Sequence, residues 1–296
     1  MDNSSTNLRF SVIIPTYNGA SKISNCINSL SQQSFLPFEI IIVIDGSTDN
    51  TKQVVSGNEK KVPIKIIDQQ NKGRAGARNT GAKIAKGDYL VFFDDDVVLQ
   101  KATLSAFKVK IQYSDVIVGS LKEKATDETS SNFAEYCSYL HQKWDTFEEG
   151  FLNKPYITAN NFLIKKSIFM AHGMFNEKLS DAEDFELAVR LFEDNIQIYY
   201  SPSIVVEHEL FKSFEQYIER QIEYRKASKS LLEVNPLVEK YYNPGKVSST
   251  KKLVYAVLRS ISTNSIFENR IWDWFPNQVK FYFFSKLIFS RIVKND

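Results

Sequence analysis

The sequence predicts an α/β protein, with a mostly parallel central sheet flanked by helices and a helical C-terminal extension. Three observations carry this reading. Short apolar runs at 10–14, 39–44, 63–67 and 89–93 alternate with stretches of helical periodicity, the pattern of right-handed strand–helix–strand crossovers. Several of those runs end in polar turns, as strands do at the ligand edge of an open sheet. From about residue 213 onward the chain turns helical, aromatic and basic.

Phe10–Ile14 is the first strand, closed by Pro15-Thr16-Tyr17-Asn18-Gly19. A helix from Ala20 to Ser31 follows, with Ile23, Ile27 and Leu30 inward. The second strand, 39–44, ends in Asp45-Gly46-Ser47-Thr48-Asp49, where Ser47 or Thr48 can cap the next helix. Pro63–Ile67 is the third strand. It leads into NKGRAGARNTGAKIAKGDYLVFFDDD, a glycine-punctuated loop, a short helix, a turn and the buried strand Tyr89–Phe93. That strand delivers Asp94, Asp95 and Asp96. Three adjacent carboxylates repel unless neutralised, and oxygen ligands favour a hard divalent ion, Mg²⁺ or Mn²⁺, that also holds substrate phosphates. The ordinary alternative is a solvated acidic turn. Tyr17 can stack on a base and Asp45 can accept from a base or ribose donor. Lys72, Arg74 and Arg78 lie where a helix begins, a place that favours anions. Arg74 and Arg78 share a face, and one of them can instead pair with an acidic neighbour; the sequence does not choose.

A helix at Thr103–Gln112 precedes a strand at Asp115–Val118. Residues 122–150 are polar and acidic around a helical Phe133–Leu140, where an acceptor-facing insertion fits. Ser180 and Glu183 match a capping box, which explains Glu183 structurally. On the helix that follows, Phe185, Leu187, Ala188, Val189, Leu191 and Phe192 form an apolar arc, with Glu183, Glu186, Arg190 and Glu193 opposite. Asp184 falls inside the arc. A buried carboxylate is costly unless satisfied or used, and desolvation raises its pKa towards that of a general base. Strands at 196–200 and 203–208 come next, with His208 at the end of the second.

The segments SVIIPTYNGA, IIVIDGSTDNT, NKGRAGARNTGAKIAKGDYLVFFDDD and AEDFELAVRL resemble, in that order, the family 2 glycosyltransferases of the GT-A, Rossmann-like fold, across residues 8–210. The resemblance implies a nucleotide-diphosphate sugar donor and transfer with inversion to a hydroxyl of a glycan or lipid-linked acceptor. It implies that Pro15, Thr16, Tyr17 and Asp45 hold the nucleotide, with Arg78 in the segment bordering the phosphates. Asp94 and Asp96 would engage a divalent metal, Asp95 the ribose, and His208 the metal again. Asp184 matches the family's catalytic base. Ile157–Ile164 resembles the segment beneath the acceptor, and Gly173–Glu177 the turn before the catalytic helix.

The expected organisation is a catalytic domain over 1–212, its nucleotide half 1–118 and acceptor half 119–212, and a helical extension over 213–296. Within the extension, Phe214–Leu232 has amphipathic spacing but lacks the Gln-x-x-Arg-Arg-Trp motif of processive synthases. Residues 251–296 carry eight Lys or Arg and three acids against a whole-chain charge of +2. Helical stretches at 253–261 and 279–293 combine this charge with aromatics, so residues 251–294 are expected either to meet a membrane surface or to pack on the core. The small net charge argues against nucleic acid as a partner. Cys26 and Cys137 form no metal spacing or disulfide framework, the N-terminus reads as no signal peptide, and no apolar run nears the ~20 residues of a bilayer span. A cytoplasmic enzyme, peripheral at the inner membrane face, is the expectation. The rivals are a nucleotidyltransferase and a non-catalytic nucleotide-sugar-binding scaffold.

Overall fold

The computed structural model describes residues 8–57, 63–124, 131–144, 147–209, 213–242 and 277–292. Strands β1 (Phe10–Thr16), β2 (Glu39–Asp45) and β4 (Tyr89–Phe93) are buried at every residue. Their uninterrupted apolar runs follow from cover on both faces. Alternation along β1 divides the core. Phe10, Val12 and Ile14 face helices α1 (Ile23–Ser31) and α4 (Thr103–Lys110), while Ile13 faces α3 (Gly73–Ile84) and α7 (Glu183–Glu193).

Nine strands among the described residues form one sheet. Its path runs β3 (Ile64–Gln69), β2, β1, β4, β8 (Asn161–Lys165), β6 (Val116–Lys124), β9 (Tyr199–Glu209), β5 (Val97–Leu99), with the short β7 (Gly150–Phe151) also on β9. The pairs β3–β2, β2–β1 and β1–β4 are parallel, as is β6–β9, and β8 enters antiparallel between β4 and β6. Because β1 lies between β2 and β4, chain direction away from the sheet centre reverses there. The crevice at their C-terminal ends is the binding position of such sheets. The remaining helices α2 (Thr51–Ser56) and α6 (Lys166–Ala171) are short.

The C-terminal helices are not a loose appendage. Helix α5 (Ser131–Trp144), α8 (Phe214–Val234) and α9 (Asn277–Ile292) share an apolar cluster that includes Phe133, Tyr136, Phe214, Phe281 and Phe284. Phe281, Phe284 and Ile288 are covered by protein, the packing alternative for this stretch. Lys280, expected on a basic outer side, is buried and paired with Glu135 at 3.0 Å. Residues 253–261 and Lys294 lie outside the described residues.

Several sequence expectations change. The two strands at 196–200 and 203–208 are one strand, β9, with a register shift opposite Gly119 and Ser120. Its bulge absorbs the Ser201-Pro202-Ser203 step that read as a break. Strand β5 escaped notice because three residues carry no periodicity. Helix α2 is not capped by Ser47 or Thr48: Asp49 accepts from the Thr51 amide at 3.0 Å, while Ser47 accepts from the Asn18 amide.

Candidate active site

The carboxyl ends of β1, β2 and β4 meet at a cavity of about 470 Å³. Pro15, Thr16, Tyr17, Asp45 and the Asp94–Asp96 cluster line it, as does His208 from β9. Thus the sheet brings together eight of the ten residues singled out from sequence. Arg78 and Asp184 are not in the wall; they lie behind it. Tyr17 is 53% exposed, with its ring open to solvent, whereas Asp45 is buried and accepts hydrogen bonds from Gln69 Nε2 at 2.7 Å and the Lys72 amide at 2.9 Å. Asp45 therefore fixes the loop leading into α3, whatever else it contacts.

The three aspartates have different partners. Asp94 accepts from Arg78 at 2.6 Å. Asp95 accepts from the Thr16 hydroxyl at 2.5 Å and pairs with Lys22 at 3.2 Å. This contact requires Gly19, where an added Cβ would lie 2.3 Å from both Asp95 Oδ2 and Thr16 Oγ1. Asp96 pairs with Lys22 at 3.1 Å and with His208 Nε2 at 3.5 Å. Burial drives the Asp95 pKa up, with Lys22 and Thr16 opposing. Burial pushes Asp96 the same way, but the hydrogen bond and charge of His208, then Lys22, outweigh it and hold the carboxyl well below its usual range. For His208, burial is the largest influence and favours the neutral ring, yet Asp96 wins and raises its pKa.

These residues fit a divalent ion of the Mg²⁺ or Mn²⁺ kind. Asp96 and His208 offer an oxygen and a nitrogen side by side on the cavity wall, and the His208 Nδ1 is buried without a hydrogen-bond partner. Among the described residues no group of three or more acidic, His or Cys side chains makes a ready cage. An ion that takes the rest of its shell from water and substrate phosphates needs none.

Arg78 is the hinge-pin of the interior. It is 2% exposed and ties Asp94, at the end of β4, to Glu183, at the start of α7. That corrects the capping-box reading. The residue preceding α7 is Ala182 in the left-handed region (φ 62°), and no side chain caps the helix. Glu183 is instead a buried counter-ion, and Glu186, expected on a solvated face, is also buried, against Arg190 and Asn235. Of the two candidate arginines, Arg78 takes the buried acidic partners, whereas Arg74 lines the cavity, is 55% exposed and meets Asp181 only at 4.0 Å. Next to Glu183, Asp184 accepts from the Ala159 amide at 3.0 Å and from its neighbour Phe185 at 2.7 Å. Burial, then the charge of Glu183, raise its pKa to about 7 against those hydrogen bonds and Arg78. The group is thus poised to exchange a proton near neutral pH.

Among the wall residues that were not anticipated are Lys22, Glu123, Arg220 and Tyr224. Lys22 had a faint signal, a cation directly after the Tyr17–Gly19 turn. Arg220 and Tyr224 had none, because α8 reaches the cavity only through tertiary packing. Arg220 pairs with Asp181 at 2.5 Å, just before α7, and its guanidinium lies 4.0 Å from the centre of the Tyr224 ring.

Comparison with known proteins shows the family and the fold. The family model "Glycosyl transferase family 2" matches residues 11–175. The chain is 36% identical over 121 residues to the poly(ribitol-phosphate) β-N-acetylglucosaminyltransferase TarS of Staphylococcus aureus, covering 39% of this chain and 21% of that one. It is 31% identical over 130 residues to the glycosyltransferase GlyG of Streptococcus pneumoniae, covering 43% and 42% respectively. The alignments therefore span well under half of these relatives. Among solved structures, the Pyrobaculum calidifontis mannosyltransferase PcManGT, in complex with GDP-Man and Mn²⁺, superposes with a TM-score of 0.66 at 16% identity, covering 97% of this chain and 86% of that one. TarS 1–349 in complex with UDP-GlcNAc superposes with a TM-score of 0.56 at 20% identity, covering 96% and 90%. At such identities the superpositions establish the shared GT-A fold.

Proposed function

This chain belongs to glycosyl transferase family 2; from that premise we propose that it is a glycosyltransferase that moves a sugar from a nucleotide-diphosphate donor to an acceptor hydroxyl with inversion, using a divalent metal. One observation carries the reading: a half-buried carboxylate with a raised pKa, Asp184, is joined through Glu183 and Arg78 to the aspartate cluster of the cavity. A base on one side and anion- and metal-binding groups on the other are what single displacement at an anomeric carbon requires.

In this mechanism Tyr17 and Asp45 flank the nucleotide, and Asp95 the ribose, at the switch point of the sheet. Arg74 and Lys22 supply positive charge beside the diphosphate. Asp96 and His208 would hold the divalent ion, with Asp94 beside them; when bound, that ion supplies charge that stabilises the leaving group. Asp184 takes the proton of the acceptor hydroxyl as that oxygen bonds to the anomeric carbon. The carbon–oxygen bond to the diphosphate breaks on the opposite face, and its electron pair leaves with the nucleoside diphosphate. No covalent enzyme intermediate forms.

The acceptor in this proposal is a glycan or lipid-linked carbohydrate, and the division into catalytic domain 1–212 and extension 213–296 is part of it. Among the described residues no helix is long and apolar enough to cross a membrane. The basic composition of residues 251–294 is the support for contact with the cytoplasmic face of a membrane.

A thermal-shift panel of UDP-, GDP-, CMP- and dTDP-sugars, with and without Mn²⁺, tests the donor site. One nucleotide class should raise the melting temperature in a metal-dependent way, by about 2.7 kcal/mol of stabilisation at a hundredfold excess over Kd. No shift with any nucleotide under any metal condition would overturn the reading and favour a scaffold role.

A further inference from the structure

Lys22 stands where the proposed metal chemistry needs a cation. Its ammonium lies 3.1 Å from Asp96 Oδ2 and 3.2 Å from Asp95 Oδ1. The same Oδ2 of Asp96 is 3.5 Å from His208 Nε2, so the ammonium and the imidazole converge on one oxygen. A divalent ion held by Asp96 and His208 would have to share that oxygen with the ammonium. Cations that close repel strongly. Asp95 Oδ2 already accepts from Thr16 and Asp94 Oδ1 from the buried Arg78, so Asp96 Oδ2 is the oxygen over which ammonium and metal compete.

We infer that Lys22 is a tethered counter-ion that occupies the cation site of the donor-free protein and is displaced to the donor's diphosphate when metal and donor bind, making the two bind cooperatively. This inference rests on the metal-dependent donor site proposed above. Competition for one oxygen supports it. Metal alone must displace the ammonium from Asp96 Oδ2 with no new partner for it, whereas a bound diphosphate supplies that partner, so each ligand favours the other. The lysine is also free to make the move. Its side chain is 42% exposed, it opens α1 rather than filling the core, and it lines the same cavity as Arg74 and Tyr17. A flexible four-carbon stem lets the ammonium swing without a change in backbone.

The test follows Mn²⁺ binding to the full chain by electron paramagnetic resonance of the free ion. Wild type, Lys22→Met, Lys22→Arg and Asp96→Asn are titrated with Mn²⁺ alone, then with Mn²⁺ and saturating UDP or GDP. Lys22→Met should bind Mn²⁺ alone about two- to fivefold more tightly than wild type, the worth of one partly exposed ion pair. The tightening that nucleotide gives wild type should shrink at least severalfold in Lys22→Met and persist in Lys22→Arg. If Lys22→Met binds Mn²⁺ alone no better than wild type while Asp96→Asn loses it, the metal site stands and the role of Lys22 is overturned. If Asp96→Asn binds Mn²⁺ as wild type does, the metal-site reading itself falls. Melting temperatures within a degree or two of wild type confirm that the exposed substitution leaves the fold intact.

Discussion

Replacing Asp184 with Asn should remove activity and, above neutral pH, make the protein more stable. The carboxyl's pKa is raised from 3.8 to about 7 by burial and by Glu183. A folded-state pKa above the unfolded value means the fold disfavours the ionised form. Stability is therefore unaffected below pH 4 and lost progressively as pH rises from 4 to 7, at roughly 1.4 kcal/mol per pH unit, for a total on the order of 4 kcal/mol. Asparagine carries no charge and escapes this loss. It has one acceptor oxygen where the carboxylate has two, so one of the bonds from the Ala159 and Phe185 amides weakens, at about 1 kcal/mol. The electrostatic gain outweighs the lost bond at pH 8 and vanishes at pH 4. At roughly 2–4 °C per kcal/mol for a chain of this size, Asp184→Asn should melt several degrees above wild type at pH 8 and slightly below it at pH 4. Differential scanning fluorimetry across that range measures the gap. A gap that stays constant with pH would show that ionising Asp184 costs the fold nothing, and the argument for it as a tuned base would fail.

Three further outcomes are expected. The pH profile of donor turnover at saturating metal should rise and level off above about pH 7, since the base acts deprotonated; a flat profile from pH 5.5 to 8.5 would assign the proton to another group. Arg78→Met leaves the buried Glu183 carboxylate without its partner and should cost about 3–5 kcal/mol, a melting-temperature fall near 10 °C, whereas loss below 1 kcal/mol would mean Glu183 is resolvated or protonated without strain. Gly19→Ala drives a methyl into the Thr16–Asp95 hydrogen bond and should cost about 1–3 kcal/mol. Gly57→Ala, where an added Cβ meets nothing closer than 3.4 Å, should change the melting temperature little and serves as the control.

The sheet was legible because its central strands are covered on both faces, so the code for β1, β2 and β4 is a plain apolar run and the turns after them are forced to the ligand edge. Site residues borne on those turns were legible for the same reason. Misreadings arose where a local pattern met a distant partner. Ser180 and Glu183 have capping-box spacing, but a capping box gains about 1 kcal/mol, whereas a buried arginine left beside only one carboxylate risks several. Arg78 lies 105 residues away and recruits Glu183. Once it does, the helix starts later, at an uncapped left-handed Ala182. For α9 the composition left membrane contact and packing both open, and the partners lie far off in sequence: Phe281 and Phe284 meet apolar groups on α5 and α8, and Lys280 meets Glu135. Asp184 was legible for the opposite reason. The helix dipole and the bond from the Phe185 amide explain a carboxylate within an apolar arc only in part, and such a costly residue is a candidate for function.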